Sequence, residues 1–104
     1  MSERFWLLGS HDDLASTGDY VSQRFAVGLV EHESSYRGGV YLLGSAQLAE
    51  SVAVQTNFED EDGCRAEPDF PGYPTLVYVV QDAELGGDAF QNDPRLAVLR
   101  VEES

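Results

Sequence analysis

The chain has 104 residues, with nineteen acids against six arginines, no lysine and a formal net charge of -13. That length suits one domain spanning 1-104, and a hydrophobic fraction of 42% can fill one core, which excludes a disordered chain despite the charge. A field of this sign repels nucleic acid and anionic membranes and attracts a basic protein surface.

The surplus grows along the chain. Residues 1-52 hold seven acids and three arginines and residues 53-104 hold twelve and three, so the balance moves from -4 to -9. Salt adaptation of a host, or simple solubility, also selects acidic surfaces, and arginine without lysine fits a GC-rich genome. No apolar run approaches the roughly 20 residues needed to cross a bilayer, and Phe5 to Leu8 is too short for a signal-peptide core. A cytoplasmic location is expected. Cys64 is the one cysteine, so neither an internal disulfide nor a multi-cysteine zinc site can form.

Taken in order, the short apolar run Arg4 to Leu8 fits an edge strand or the lead-in to the first helix, with a strand preferred. Ser10 then caps a helix over Asp12 to Gln23, with Asp12 and Asp13 in the first turn and Leu14, Val21 and Phe25 at helical spacing. Gly18 lowers its propensity. From Phe25 to Glu33 the pattern becomes strand-like, with Phe25, Val27 and Leu29 on one face and Glu31 and Glu33 continuing it. Gly38-Gly39 supplies a tight reversal, so Val40 to Gly44 should pair back as an antiparallel hairpin. Gly44 to Ser51 is a connection holding one helical turn capped by Ser45.

Val52 to Phe58 alternates again, with Val52, Val54, Thr56 and Phe58 on one face and Ala53, Gln55 and Asn57 on the other. Residues 59-74 contain six acids, three prolines and two glycines, a composition that predicts a long surface loop, with Phe70 and Tyr73 tacking its far end to the body. Thr75 to Val80 is apolar on both faces and belongs centrally in a sheet; Leu96 to Val101 should pair nearby. Between them Asp82 caps a short helix using Leu85, Ala89 and Phe90, which Pro94 ends. The whole reads as α+β, a single mainly antiparallel sheet of about five to six strands with one or two helices on one face.

Glu59-Asp60-Glu61-Asp62-Gly63 invites a calcium reading, but its spacing is wrong. With Gly63 as the sixth loop residue, the first becomes Phe58 and the twelfth Asp69. A solvated acidic loop or a docking surface for a basic partner remains, and neither a metal nor another cofactor is expected. His32, flanked by Glu31 and Glu33 and followed by Ser34, Ser35 and Tyr36, has the residue types of a hydrolase. Adjacent strand residues point to opposite faces, so the cluster cannot assemble a triad by itself. A small enzyme with a pocket near His32, Glu33 and Tyr36 is the alternative from a different class. His11 lies too far from His32 in sequence to suggest a metal pair, and the glycine pairs lack a phosphate-binding fingerprint.

The pattern Glu33-Ser-Ser-Tyr-Arg-Gly-Gly-Val-Tyr41, then Val54-Gln-Thr-Asn57, an acidic segment and Phe70-Pro-Gly-Tyr73 before a Leu-Val-Tyr-Val strand, resembles small acidic bacterial immunity proteins. Those are antidotes encoded beside polymorphic or contact-dependent toxins. The resemblance spans about residues 25-80 and implies a non-enzymatic inhibitor of a basic toxin domain, often a nuclease whose active site is plugged by carboxylates; a phage-encoded inhibitor or DNA mimic is a close variant. Charge and exposure nominate Glu31, Glu33, Glu59, Asp60, Glu61, Asp62, Glu67 and Asp69 as partner-binding groups, with Tyr36 and Tyr73 as aromatic anchors.

Overall fold

The apolar run that starts near Arg4 extends through Ser10, forming strand β1 (Glu3–Ser10) in the computed structural model. The structure describes residues 3–34, 39–47, 49–59, 62–82, 90–91 and 93–103. After β1 come helix α1 (Leu14–Phe25) and strands β2 (Val30–Ser34), β3 (Gly39–Ala46), β4 (Ala49–Thr56), β5 (Thr75–Asp82) and β6 (Ala97–Glu103). The strands form one six-stranded sheet in the order β2-β3-β4-β5-β1-β6, with every neighbouring pair antiparallel. The fold is α+β.

β1 is not an edge strand. It lies between β5 and β6, and Trp6, Leu7 and Leu8 are all buried, so both of its faces are covered. A run that is apolar on successive residues is what an interior strand needs. β6 therefore pairs with β1 rather than with β5 and takes the edge.

The helix also begins and ends later than its composition suggests. Asp13, not Ser10, is the N-cap: its Oδ1 accepts the Ser16 N–H at 2.8 Å. Ser10 serves the preceding corner, where its Oγ accepts from the Asp12 N–H at 3.1 Å and the Thr17 hydroxyl at 2.8 Å. At the other end Phe25 closes the helix one turn after Val21, and Ala26 turns left-handed with φ 54°. Phe25, Val27 and Leu29 satisfy a two-residue period without belonging to one strand. Phe25 is helical, Val27 is buried in the connection, and β2 begins only at Val30.

The main core lies between α1 and one face of the sheet. Val21 and Phe25 pack with Val27, Trp6, Leu8, Val52, Val54, Val77 and Val79, closed by Phe90 and Leu96. Trp6 donates its indole N–H to Gln81 Oε1 at 2.7 Å, which satisfies the fully buried amide oxygen. The short helix expected over 82-90 falls largely on residues 83–89, outside the described residues; Asp82 ends β5, and Phe90 is completely buried.

No helical turn follows Gly44. β3 continues to Ala46, which pairs with Ala49 of β4, so the connection is a tight hairpin. The register shifts between Gly44 and Ala46, and at Gly44 backbones approach closely: a Cβ there would fall 2.9 Å from the Gly28 carbonyl carbon and closer still to its oxygen. A backbone atom cannot yield as a side-chain tip can. Gly44→Ala is expected to destabilise the protein by about 2 kcal/mol, in the range for overpacking, as read from the midpoint of urea denaturation.

Candidate functional site

Strand register gathers the nominated segments. Ser34 opposes Gly39 at the β2–β3 tip, Val54 opposes Leu42, and Thr56 opposes Thr75, so the hairpin tip and both ends of the 57-74 loop lie at the same end of the sheet. Gly39 has φ +98°, a conformation suited to glycine at this reversal. Tyr36 at the tip, and Asp60 and Glu61 in the loop, lie outside the described residues. Glu31, Glu33, Glu59, Asp62 and Asp69 are all exposed.

The loop is built around a buried amide. Asn57 continues from β4 and its backbone N–H donates to the Pro74 carbonyl at 2.9 Å, joining the two ends. Its side chain accepts the Glu67 N–H at 2.9 Å and donates to the Phe70 carbonyl at 2.9 Å and the Glu67 carbonyl at 3.4 Å. Between these points the chain runs out and back: Ala66 N–H donates to the Phe58 carbonyl, and Glu59 bridges to Arg65. Glu59 and Arg65 thus stand side by side on a small arm.

Glu67 is placed differently from the other acids. It is 9% exposed, and its Oε1 accepts from the Tyr78 hydroxyl at 2.9 Å and Arg100 Nη2 at 3.1 Å. These partners stand on β5 and β6, on the sheet face away from α1, so Glu67 clasps the loop across that face. Leu7, Ala53 and Leu76, on that face, are buried. Tyr73 is likewise half-buried: its ring lies where a Gly9 Cβ would come within 2.5 Å, and it stacks on His11 with ring centroids 4.6 Å apart. The two residues hold the loop, and the exposed groups are those they leave outside.

Each of the five described arginines already faces a carboxylate: Arg4 with Glu103, Arg24 with Asp93, Arg65 with Glu59, Arg95 with Asp12 and Arg100 with Glu67. Among the described residues every positive charge is thus paired with an acid of the same chain, and the surplus is acidic. Glu59 and Arg65 are 3.7 Å apart, and both are substantially exposed. Such a pair is worth little, so an incoming cation can displace Arg65 at small cost.

A second polar cluster joins α1 to the segment before β6. The Asp93 carboxylate has no exposed surface; it accepts the Tyr20 hydroxyl at 2.7 and 2.8 Å and the N–H groups of Arg95 and Leu96 at 2.9 and 3.2 Å. The Arg95 guanidinium sits 4.7 Å from the centre of the Tyr20 ring. Burial, and then the hydrogen bond to Asp93, push the Tyr20 hydroxyl above its ordinary value of 10.0. The folded state therefore favours the neutral phenol: its stabilisation is complete below about pH 10 and is lost as pH rises through the raised folded value. Tyr20→Phe should cost about 1 kcal/mol at neutral pH. The gap between the two proteins should shrink above about pH 10, as followed by urea melts up to pH 11; a gap that widens there would contradict the assignment. In acid the helix cap behaves oppositely, because the Ser16 N–H and hydroxyl hold the Asp13 carboxyl below its ordinary value, and its contribution fades as pH falls through that lowered value.

His32 lies on the opposite face of β2 from Glu31 and Glu33, and it stacks on Tyr41 with centroids 5.5 Å apart. Among the described residues, no three histidine, cysteine, aspartate or glutamate side chains are grouped to hold a metal ion. No helix among them is long and apolar enough to cross a membrane. Two shallow depressions, of about 220 and 330 Å³, lie beside Tyr78 and Arg100 and beside His11 and Arg95. Comparison with protein-family models, curated proteins and solved structures finds no match to this chain.

Sequence reasoning missed Asn57, Tyr20 and Asp93. Asn57 could have been noticed as a carboxamide ending an alternating strand and opening a proline-rich loop, the place where unpaired backbone groups need a polar side chain. Tyr20 and Asp93 carry no such signal, being 73 residues apart.

Proposed function

We propose that this protein is a binding inhibitor of the immunity type, which neutralises a basic protein partner, a toxin domain such as a nuclease, by covering its cationic surface. The observation that carries the reading is the pairing of a surplus acidic surface with a loop braced by Asn57 and Glu67. The five described arginines each face a carboxylate of this chain, and the exposed carboxylates Glu59 and Asp62 stand on an arm anchored by Asn57 and Glu67. Glu31 and Glu33 belong to the hairpin whose tip shares that end of the sheet. Bracing lowers the entropy lost on docking, and the net charge of -13 accelerates the encounter with a cation. Action is by binding rather than catalysis. Glu31 and Glu33 lie across the strand from His32, which supports binding over the hydrolase reading.

The test is titration of the protein encoded by the adjacent gene by calorimetry at two ionic strengths. Replacing Glu59, Asp60, Glu61 and Asp62 with serine should leave the melting temperature nearly unchanged and weaken binding about 30-fold at low salt. The control removes three scattered exposed acids, Asp19, Glu50 and Glu102, and is compared per charge removed. Equal, small losses in the two variants would mean that the acidity only solvates the surface.

A further inference from the structure

The two sheet edges are unlike. β6 is bulged where it passes Leu7 and Leu8 of β1, and two of its charged groups are already engaged, Glu103 with Arg4 and Arg100 with Glu67. A bulge twists an edge away from further pairing. β2 keeps regular register with β3 over five residue pairs, and Val30 through Glu33 are all exposed. In an antiparallel edge strand, alternate residues turn their N–H and C=O groups away from the neighbour, so the outer side of β2 can receive one more strand.

Its two faces differ in chemistry. Glu31 and Glu33 oppose Leu42 and Val40, on the side of the sheet that carries α1. Val30 and His32 oppose Leu43 and Tyr41 on the other side, and Val30 is 61% exposed. There the 57-74 loop is clasped to Tyr78 and Arg100 on distant strands and leaves Val30 uncovered.

We infer that the outer edge of β2 takes an extended segment of the basic partner by strand addition, with arginine or lysine at alternate positions beside Glu31 and Glu33 and apolar side chains between them beside Val30 and His32. The inference rests on the proposed function and names how the partner is held. Main-chain hydrogen bonds supply affinity, and the alternating acid and apolar positions select the sequence. A second copy of this chain is a poor occupant. Antiparallel pairing centred on His32 sets Glu31 of each copy directly opposite Glu33 of the other, and like charges so placed repel. The same glutamates that discourage self-pairing attract a basic strand.

The probe is a capped nine-residue peptide alternating arginine with valine and threonine, compared with a peptide of the same composition whose arginines are grouped at one end. At low salt the alternating peptide should bind at least tenfold more tightly and slow amide hydrogen exchange within Val30–Glu33 at least tenfold. E31R/E33R should abolish both effects while leaving the fold intact, since both sites are exposed. Equal binding of the two peptides without protection of β2 would overturn strand addition while leaving electrostatic docking of a basic partner standing. Binding of neither peptide would also overturn it, and titration of the adjacent gene's product decides the broader reading separately. Protection of β2 that rises with protein concentration alone would overturn it in favour of self-association.

Discussion

Asp93→Ala is expected to lower stability by about 4 kcal/mol and, at ~4–8 °C per kcal/mol for a domain of this size, to depress Tm by roughly 15–30 °C. The carboxylate has no exposed surface and accepts from the Tyr20 hydroxyl and from two backbone N–H groups, with Arg24 3.5 Å away. Removing it strands donors that cannot all reach water. The Leu96 N–H belongs to a buried residue, and an unsatisfied buried donor costs about 1–3 kcal/mol. Arg24 is half exposed and can be hydrated, which keeps the loss below that of a fully buried ion pair. Asp93→Asn separates charge from hydrogen bonding: its carbonyl can still accept from Arg95 and Leu96, so it should retain about half of the lost stability. Thermal melts of both variants check this. A fall under about 5 °C for Asp93→Ala would mean that the segment before β6 relaxes and rehydrates rather than being held by this carboxylate.

That cluster also marks where the sequence stops being legible. Local patterns locate all six strand regions, by alternation at Val52 to Phe58 and by apolar runs such as Thr75 to Val80, which is indeed interior. Strand order is not local. β1 contacts β5 and β6 across most of the chain, and the choice depends on which faces remain uncovered after α1 packs. Phe25 shows a second limit: with Val27 and Leu29 it fits a two-residue period, and with Val21 it fits a helical one. The left-handed turn at Ala26 decides between them, and alanine does not advertise it. Among the nominated site residues, acid count alone could not distinguish Glu67 from Asp69. One is bound by Tyr78 and Arg100 and the other is exposed. The distinction comes from Asn57, which fixes where the chain turns back onto the sheet.

Asn57 is therefore the residue through which stability and the proposed binding surface are connected. Asn57→Ala removes two bonds of 2.9 Å and one of 3.4 Å from a side chain in a residue only 4% exposed. At about 1 kcal/mol for each bond, the expected loss is roughly 3 kcal/mol. Asn57→Asp should be at least as damaging, because a carboxylate can accept from Glu67 but cannot donate to the Glu67 and Phe70 carbonyls it would face. The loss should be concentrated in the loop. Hydrogen exchange at the Ala66 and Glu67 amides should accelerate at least tenfold more than exchange at amides within β5, because the loop loses its anchor while the sheet ladder remains. Binding then separates bracing from charge. If the exposed carboxylates act because they are held in place, Asn57→Ala should weaken association with the basic partner without changing the net charge, mainly by speeding dissociation. The long-range field that steers encounter is unaltered, so the association rate and its salt dependence should stay close to wild type. Stopped-flow measurement of both rate constants distinguishes the possibilities: an unchanged dissociation rate in a variant whose loop exchanges freely would show that the partner reads charge alone and that the brace serves only the fold.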